Sequence, residues 1–480
     1  MPPRSAYRRL GRVASERCHG AKVRRAEWER EFDRWLAPFW AALGHKRRRA
    51  WAPVYARGLL GPGERKSVQP LAVRVAPDDR EQLHHFVCAS CWDPAPLERV
   101  LAERARRLVG GPGAVLIVDD TTLLKQGRRS VGVARQYSGA AGKKANCQAL
   151  VSLTLAREEV PVCVALRLFL PQEWTDDPAR CRRAGVPEPR IREGHRSKGA
   201  LALEELDGLR AAGVTFGCVL ADAAYGASAE FRRALSARAL TWAVGIPRTQ
   251  KVYPAGVRVR MPRPKPGLRH GRPRRHPVPS HVSRPAEEAL TAARWRRLSW
   301  RAGTKGALAA RFAAARVVVA DGPEAATAQH LPGEAAWLVG EWRATGEKKY
   351  YLTNHPPTAS LRTLAAAIKA RWSCEQAHQQ LKEELGLDHF EGRSWLGLHH
   401  HALMTMISFA FLQHLRLREA RGRGENEPGP ARTRRPPTPA DATRGPPRAP
   451  HAPQRRQAPM PDMPRAADLS AARIEQEVAK

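Results

Sequence analysis

In the first hundred residues the apolar positions recur with a helical period. "RRAEWEREFDRWLAPFWAAL" (24–43) spaces Trp28, Phe32, Trp35 and Trp40 along one face, which predicts an amphipathic helix whose aromatics serve a core. "LLGPGERKSVQP" breaks the pattern before further helix. From residue 114 the period changes. "AVLIVDD" (114–120) is a continuous apolar run ending in acid, as expected of a strand buried on both faces. "NCQALVSLTLA" (146–156) and "VPVCVALRLFL" (160–170), parted by a short polar turn, read as a hairpin. A helical stretch carrying Leu201, Leu203, Leu206 and Leu209 follows, then a strand ending "CVLAD" at Asp222, a helix "SAEFRRALSA" and a strand "LTWAVGI". Three strands, helix, strand, helix, strand is a mixed α/β sheet with antiparallel and crossover connections.

Beyond 247 the pattern loosens. "RVRMPRPKPGLRHGRPRRHP" (258–277) is basic and punctuated by Pro and Gly, which predicts an exposed loop. "RVVVAD", "AAWLVGEWRA" and "KKYYLTN" then suggest a small β subdomain inserted in the main fold, before helices return. The organisation expected is a helical basic region at 1–110, the first part of a catalytic core at 111–247, a basic loop and β-rich insertion at 248–355, a helical end of the core at 356–420, and a disordered Arg/Pro-rich tail at 421–480.

Charge narrows the partners. Lys and Arg number 82 against 46 Asp and Glu, a formal net charge of +36. A chain so basic is expected to meet a polyanion, because neutralising phosphates releases condensed counterions. Eight scattered cysteines fit reduced thiols better than a disulfide framework. There is no apolar signal region, and the run "ALMTMISFAFL" is too short to span a bilayer. The expectation is a soluble cytoplasmic, nucleoid-associated protein with no membrane partner.

Against that charge, a few acids stand out. Asp119–Asp120 and Asp222 each end an apolar strand. In "ARWSCEQAHQQLKEELG" (370–386), helical spacing puts Arg371, Glu375, His378 and Lys382 on one polar stripe. Taken singly, each acid reads as a cap or a solvated ion pair. Together they suit Mg²⁺ or Mn²⁺, which accept carboxylate oxygens and serve phosphodiester chemistry in pairs. An acid after the first strand, another after the strand following hairpin and helix, and a third on a late helix is the order a ribonuclease-H-like core requires.

The segments "VLIVDDTTLLKQGRRSVGVARQYSGAAGKKANCQALVSLTLA", "FGCVLADAAYG" and "IKARWSCEQAHQQLKEELGLDHFEGRSWLGLHHHALMTMISFAFLQ" resemble bacterial insertion-sequence transposases of the DDE type, specifically the insertion sequence family 701 group, over about residues 58–418. The resemblance implies a ribonuclease-H-like fold with a β-rich insertion, two divalent metals, and metal-dependent cleavage and strand transfer in cut-and-paste transposition. It implies double-stranded DNA as partner, as terminal inverted repeats and target, with a homodimer pairing two ends. Asp222 matches the second acid and Glu375 the third, while Arg371 and Lys382 match basic residues expected to contact DNA phosphates. Ile368 stands where the wider signature has tyrosine. For the first acid the acid-x-Thr pattern favours Asp119, with Asp120 the alternative or an aid to metal and structure. Two other readings stay open: a nuclease of this fold without strand transfer, and a DNA-binding remnant or repressor without catalysis.

Overall fold

The computed structural model describes residues 20–426, apart from 140, 262–276, 304–305 and 324–329. Most of the expected basic loop and nearly all of the tail expected at 421–480 thus lie outside the described residues. The compact unit that carries the site ends at Arg423.

Strand β1 (Gly111–Leu124) joins the antiparallel and parallel parts of the core sheet. It runs antiparallel to β3 (Lys143–Arg157), with Asp119 opposite Ser152. The start of β3 pairs with β2 (Ala134–Ser138) and the rest with β4 (Val160–Leu168), both antiparallel. The β3–β4 hairpin closes through Glu158 and Glu159, both at positive φ (51° and 66°), the backbone of a tight primed turn more often built from Asn and Gly. On its other side β1 pairs in parallel with β5 (Phe216–Ala221), and β5 in parallel with β6 (Trp242–Ile246). Parallel neighbours need crossovers; helices Lys198–Ala211 and Ala229–Ala237 lie in those connections.

The strands expected in the insertion form, but they continue this sheet. β7 (Lys251–Pro254) leads to a small separate ribbon, β8 (Val259–Arg260) with β9 (Val278–Pro279), and then to β10 (Arg284–Pro285) and β11 (Arg296–Gly303). β12 (Gly306–Val319), β13 (Ala335–Trp342) and β14 (Lys348–Thr353) complete it, giving 12 strands in one sheet among the described residues. β14 lies antiparallel on β6. The alanine-rich start of β12, "GALAARFAAA", favours helix by propensity; pairing with β11 on one side and β13 on the other overrides it.

Alternation along the strands sorts the two faces of the sheet. Leu116, Val118, Val219 and Val244 pack with Leu206, Phe231 and Leu235 of the crossover helices. Ile117, Leu220 and Ala243 pack instead with Leu364, Ala365 and Ile368 of the helix Leu361–Ala370. Ser360 starts that helix by accepting from the Thr363 N–H at 3.1 Å. Its hydrogen bonding breaks at Arg371, yet the backbone there stays right-handed (φ −56°, ψ −29°), and Trp372–Glu383 continues onto β1 and β3.

The N-terminal helices pack on the long final helix Trp395–Asn426. Phe32 and Phe411 rings meet at 5.5 Å, and Trp35 stacks on His414 at 4.6 Å, so these aromatics belong to the core. No helix among the described residues is long and apolar enough to cross a membrane. Inside this layer the His401 Nε2–H donates to the Gly386 carbonyl (3.0 Å) while Nδ1 accepts from the Tyr55 hydroxyl (2.7 Å). His400 stacks on Trp92 at 3.5 Å.

Burial pushes His399, His400 and His401 each down to about 4. The unfolded chain takes up these protons near pH 6.5, the folded chain only near 4, so unfolding binds protons in that window. Stability present at neutral pH is therefore lost as pH falls from 6.5 towards 4, by roughly 1.4 kcal/mol per pH unit for each histidine. Urea unfolding at pH 7, 6 and 5 should show this decline, and the His401→Gln protein, which loses a ring satisfied in its neutral form, a shallower one. A flat profile would remove the claim.

Candidate active site

Val118 pairs with Ala221 across the parallel β1–β5 ladder. The next residues are Asp119 and Asp222, so two carboxylates stand side by side. Strand β5 ends there as expected, but β1 does not end at Asp119–Asp120 and runs on to Leu124, because β3 keeps pairing with it. Asp222 caps the short turn of helix that follows: its Oδ1 accepts from the N–H groups of Ala224 (2.9 Å) and Tyr225 (3.3 Å). Asp119 is still inside the ladder, and its Oδ1 accepts from the Asp120 N–H at 2.8 Å. Burial pushes the Asp119 carboxyl up to about 6; the Arg371 guanidinium opposes that rise and the charge of Asp222 adds to it.

Arg371 joins this pair to the third acid. Its Nη1 donates to Asp119 Oδ2 at 2.5 Å, and its Nη2 donates to Glu375 Oε1 one helical turn on. Burial works against the guanidinium's charge, but Asp119 and then Glu375 outweigh it and hold its pKa above the usual value. Glu375 itself is half-exposed on the first turn of its helix. The acids thus form a chain, Asp222 beside Asp119 and Asp119 through Arg371 to Glu375. Among the described residues no three carboxylate, imidazole or thiol groups close into a ready metal cage.

The donor set nevertheless fits a hard divalent cation. It consists of carboxylate oxygens alone, two of them on adjacent strands whose charges repel, and the protein already brings a guanidinium between two of the acids.

Asp120 goes elsewhere. Alternation turns it to the opposite face of β1, where its Oδ1 accepts from the Tyr225 hydroxyl (2.5 Å) and its Oδ2 pairs with Lys198. Burial and the facing Asp120 hold the Tyr225 hydroxyl protonated, well above its usual range. Asp120, Lys198 and Tyr225 tie β1, a crossover helix and the turn after Asp222 together from behind. Tyr225 lies within "FGCVLADAAYG", yet neither it nor Lys198 carries a sequence signal for this role.

The polar stripe does not survive packing. His378 is buried, its ring 2.7 Å from Ser152 Oγ, and burial pushes it down to about 3, so it is neutral. Since Ser152 Oγ donates to the Asp119 carbonyl at 3.1 Å, the His378 Nε2–H must be the donor to Ser152. Lys382 also turns inward, its ammonium donating to the Thr122 carbonyl at 2.9 Å. Ile368 is buried beneath the sheet.

A family model described as DDE superfamily endonuclease matches residues 38–307, more than half of the chain. Asp119 and Asp222 lie within that span and Glu375 beyond it. The chain is 28% identical over 173 residues to the probable transposase for insertion sequence element IS701 of Microchaete diplosiphon. That match takes in 36% of this chain and 41% of the relative's length. A cryo-EM structure of the piggyBac transposase synaptic complex with hairpin DNA is similar over 77% of this chain and 66% of that one, at 13% identity and a TM-score of 0.35.

Proposed function

The chain belongs to the DDE superfamily of endonucleases, and from that premise we propose that it is an insertion-sequence transposase, cutting the ends of its element and joining them to target DNA. The observation that carries the reading is the pair Asp119 and Asp222, brought side by side where β5 ends against the middle of β1, beneath the Arg371–Glu375 helix turn. The order β4-β3-β1-β5-β6, three antiparallel strands and then two parallel, supports a ribonuclease-H-like core.

Asp119, Asp222 and Glu375 would hold two Mg²⁺ or Mn²⁺ ions, which when bound supply Lewis acidity at the scissile phosphate and at the attacking oxygen. The remaining roles fall to the chain. Arg371 neutralises the acids beforehand and, released from them, offers a flanking phosphate the same two-pronged donor. Lys382, on the same helix face, is the second phosphate ligand once its ammonium leaves the Thr122 carbonyl. Asp120 acts from behind with Lys198 and Tyr225, fixing β1. The basic helical region at 1–110 recognises the terminal inverted repeats, and a homodimer pairs two of them.

The test is to mix purified protein, Mg²⁺, a duplex carrying the element's end and a target plasmid. Nicking at the end followed by joining is expected. Cutting without joining would leave a nuclease of this fold. Salt-sensitive binding with neither reaction would leave a DNA-binding remnant or repressor.

A further inference from the structure

We propose that a cleft of arginines past the end of β1 is a second DNA subsite, gripping the phosphate backbone of the duplex roughly half a helical turn from the cut. Five guanidinium side chains, those of Arg128, Arg129, Arg180, Arg183 and Arg393, line a cleft of about 450 Å³ that contains no acid. Among the described residues none of the five is in an ion pair, although arginines elsewhere on this surface repeatedly are, as in Arg182 with Glu188 and Arg196 with Glu204. Arg128, Arg129 and Arg393 also line the adjoining cleft that holds Glu64, Asp388 and Glu391, but pair with none of these acids. Like charges converging in this way repel one another, and a bound polyanion relieves that cost.

The cleft is built rather than incidental. Its arginines come from three segments distant in sequence: the loop after β1, the short helix Pro178–Arg183, and the turn before the final helix. Backbone hydrogen bonds lock the three together, Val131 N–H to the Arg393 carbonyl (3.0 Å) and Trp395 N–H to the Ala184 carbonyl (2.8 Å). Arg180 sits over the ring of Trp174, 3.8 Å from its centroid, and donates to the Arg128 carbonyl at 3.0 Å. Trp174 is in turn fixed by its indole N–H on the Val133 carbonyl (2.8 Å). A guanidinium stacked this way has lost its rotamer freedom before any ligand arrives.

The basic surface also continues. Arg128 and Arg180 share a neighbouring cleft of about 530 Å³ with Arg135 on β2, three arginines against one acid, Glu173. Two residues along that strand Tyr137 stands 67% exposed, directly across from Lys144. A track of cations with an exposed aromatic at one end suits a nucleic-acid strand better than a small anion. β1 sets the scale of its distance from the chemistry: the five steps from Asp119 to Leu124 span roughly 17 Å at strand rise, or about five base-pair steps, and the cleft opens beyond that end.

This inference rests on DNA being the substrate, as proposed above, but its test needs no catalysis. Binding of a 40-base-pair duplex of arbitrary sequence is measured in EDTA by fluorescence anisotropy across NaCl concentrations. The Arg128→Ala/Arg183→Ala/Arg393→Ala protein is expected to bind at least tenfold more weakly, with its log–log salt slope shallower by about 2.7, three contacts at 0.9 each. The corresponding lysine triple keeps the charge and is expected to keep the slope. Equal weakening by Arg192→Ala/Arg210→Ala/Arg233→Ala, three exposed arginines elsewhere, would reduce the effect to net charge and overturn the proposal. So would an alanine triple that folds and keeps the slope, or a lysine triple that loses it. Failure of cutting in the transposition assay leaves all of these outcomes readable.

Discussion

The Asp119→Asn protein is expected to cut DNA at least ~10³-fold more slowly than wild type, about 4 kcal/mol of transition-state stabilisation, with duplex binding unchanged. Asparagine keeps the shape of the side chain and its hydrogen bond from Asp120, but it removes the charge that sits beside Asp222. The companion variant gives the result its meaning. Asp120→Asn is expected to cost about tenfold or less, because Asp120 lies on the far face of β1 and acts through Lys198 and Tyr225. Single-turnover cleavage of an end-carrying duplex measures both. Equal losses would mean that strand alternation is no guide to which of these adjacent acids does the chemistry.

The second large effect is on stability. Arg167, on β4, binds Glu98 of the N-terminal layer through both terminal nitrogens (2.6 and 2.7 Å) and Glu205 of the first crossover helix through Nε (2.6 Å). Three layers of the fold meet at one guanidinium. Burial disfavours its charge, but the two carboxylates more than compensate and hold its pKa above the ordinary arginine value. Arg167→Ala leaves two partly buried carboxylates facing each other and is expected to cost about 3–5 kcal/mol in urea unfolding. The Arg167→Met/Glu98→Gln/Glu205→Leu protein removes the stranded charges along with the arginine and should recover most of that loss. A loss below about 1 kcal/mol for the single variant would mean that the triad carries little of the fold's stability.

The core strands were legible because burial writes itself locally. "AVLIVDD", "NCQALVSLTLA" and "LTWAVGI" are apolar on both faces, and a strand sandwiched between helices permits little else. β2 is not legible because "ARQYS" owes its conformation to β3 rather than to its own composition, and of β12 only the end, "RVVVAD", reads as strand, because the alanines before it speak for helix. At the site, Asp222 and Glu375 could be singled out by position, but their connection through Arg371 is a tertiary fact. The stripe on the late helix misled most clearly. Helical spacing put His378 and Lys382 with the exposed residues, whereas β3 packs against that side and turns one into a buried neutral donor and the other towards a strand carbonyl. The Asp119/Asp120 ambiguity is one that parity along a strand resolves only after the packing of each face is known.

The seam between β6 and β14 has a consequence for how this chain can be shortened. Tyr350 to Thr353 pair rung by rung with Ile246 to Ala243, and β6 is wholly buried. The inserted residues therefore cover the edge that β6 would otherwise expose. A copy that lost them would present β6 as a bare apolar edge, an open template for the strand of another chain. Such a truncated product would fail by aggregation before the absence of any DNA contact mattered, so internal deletions in this stretch yield insoluble protein rather than a smaller working enzyme.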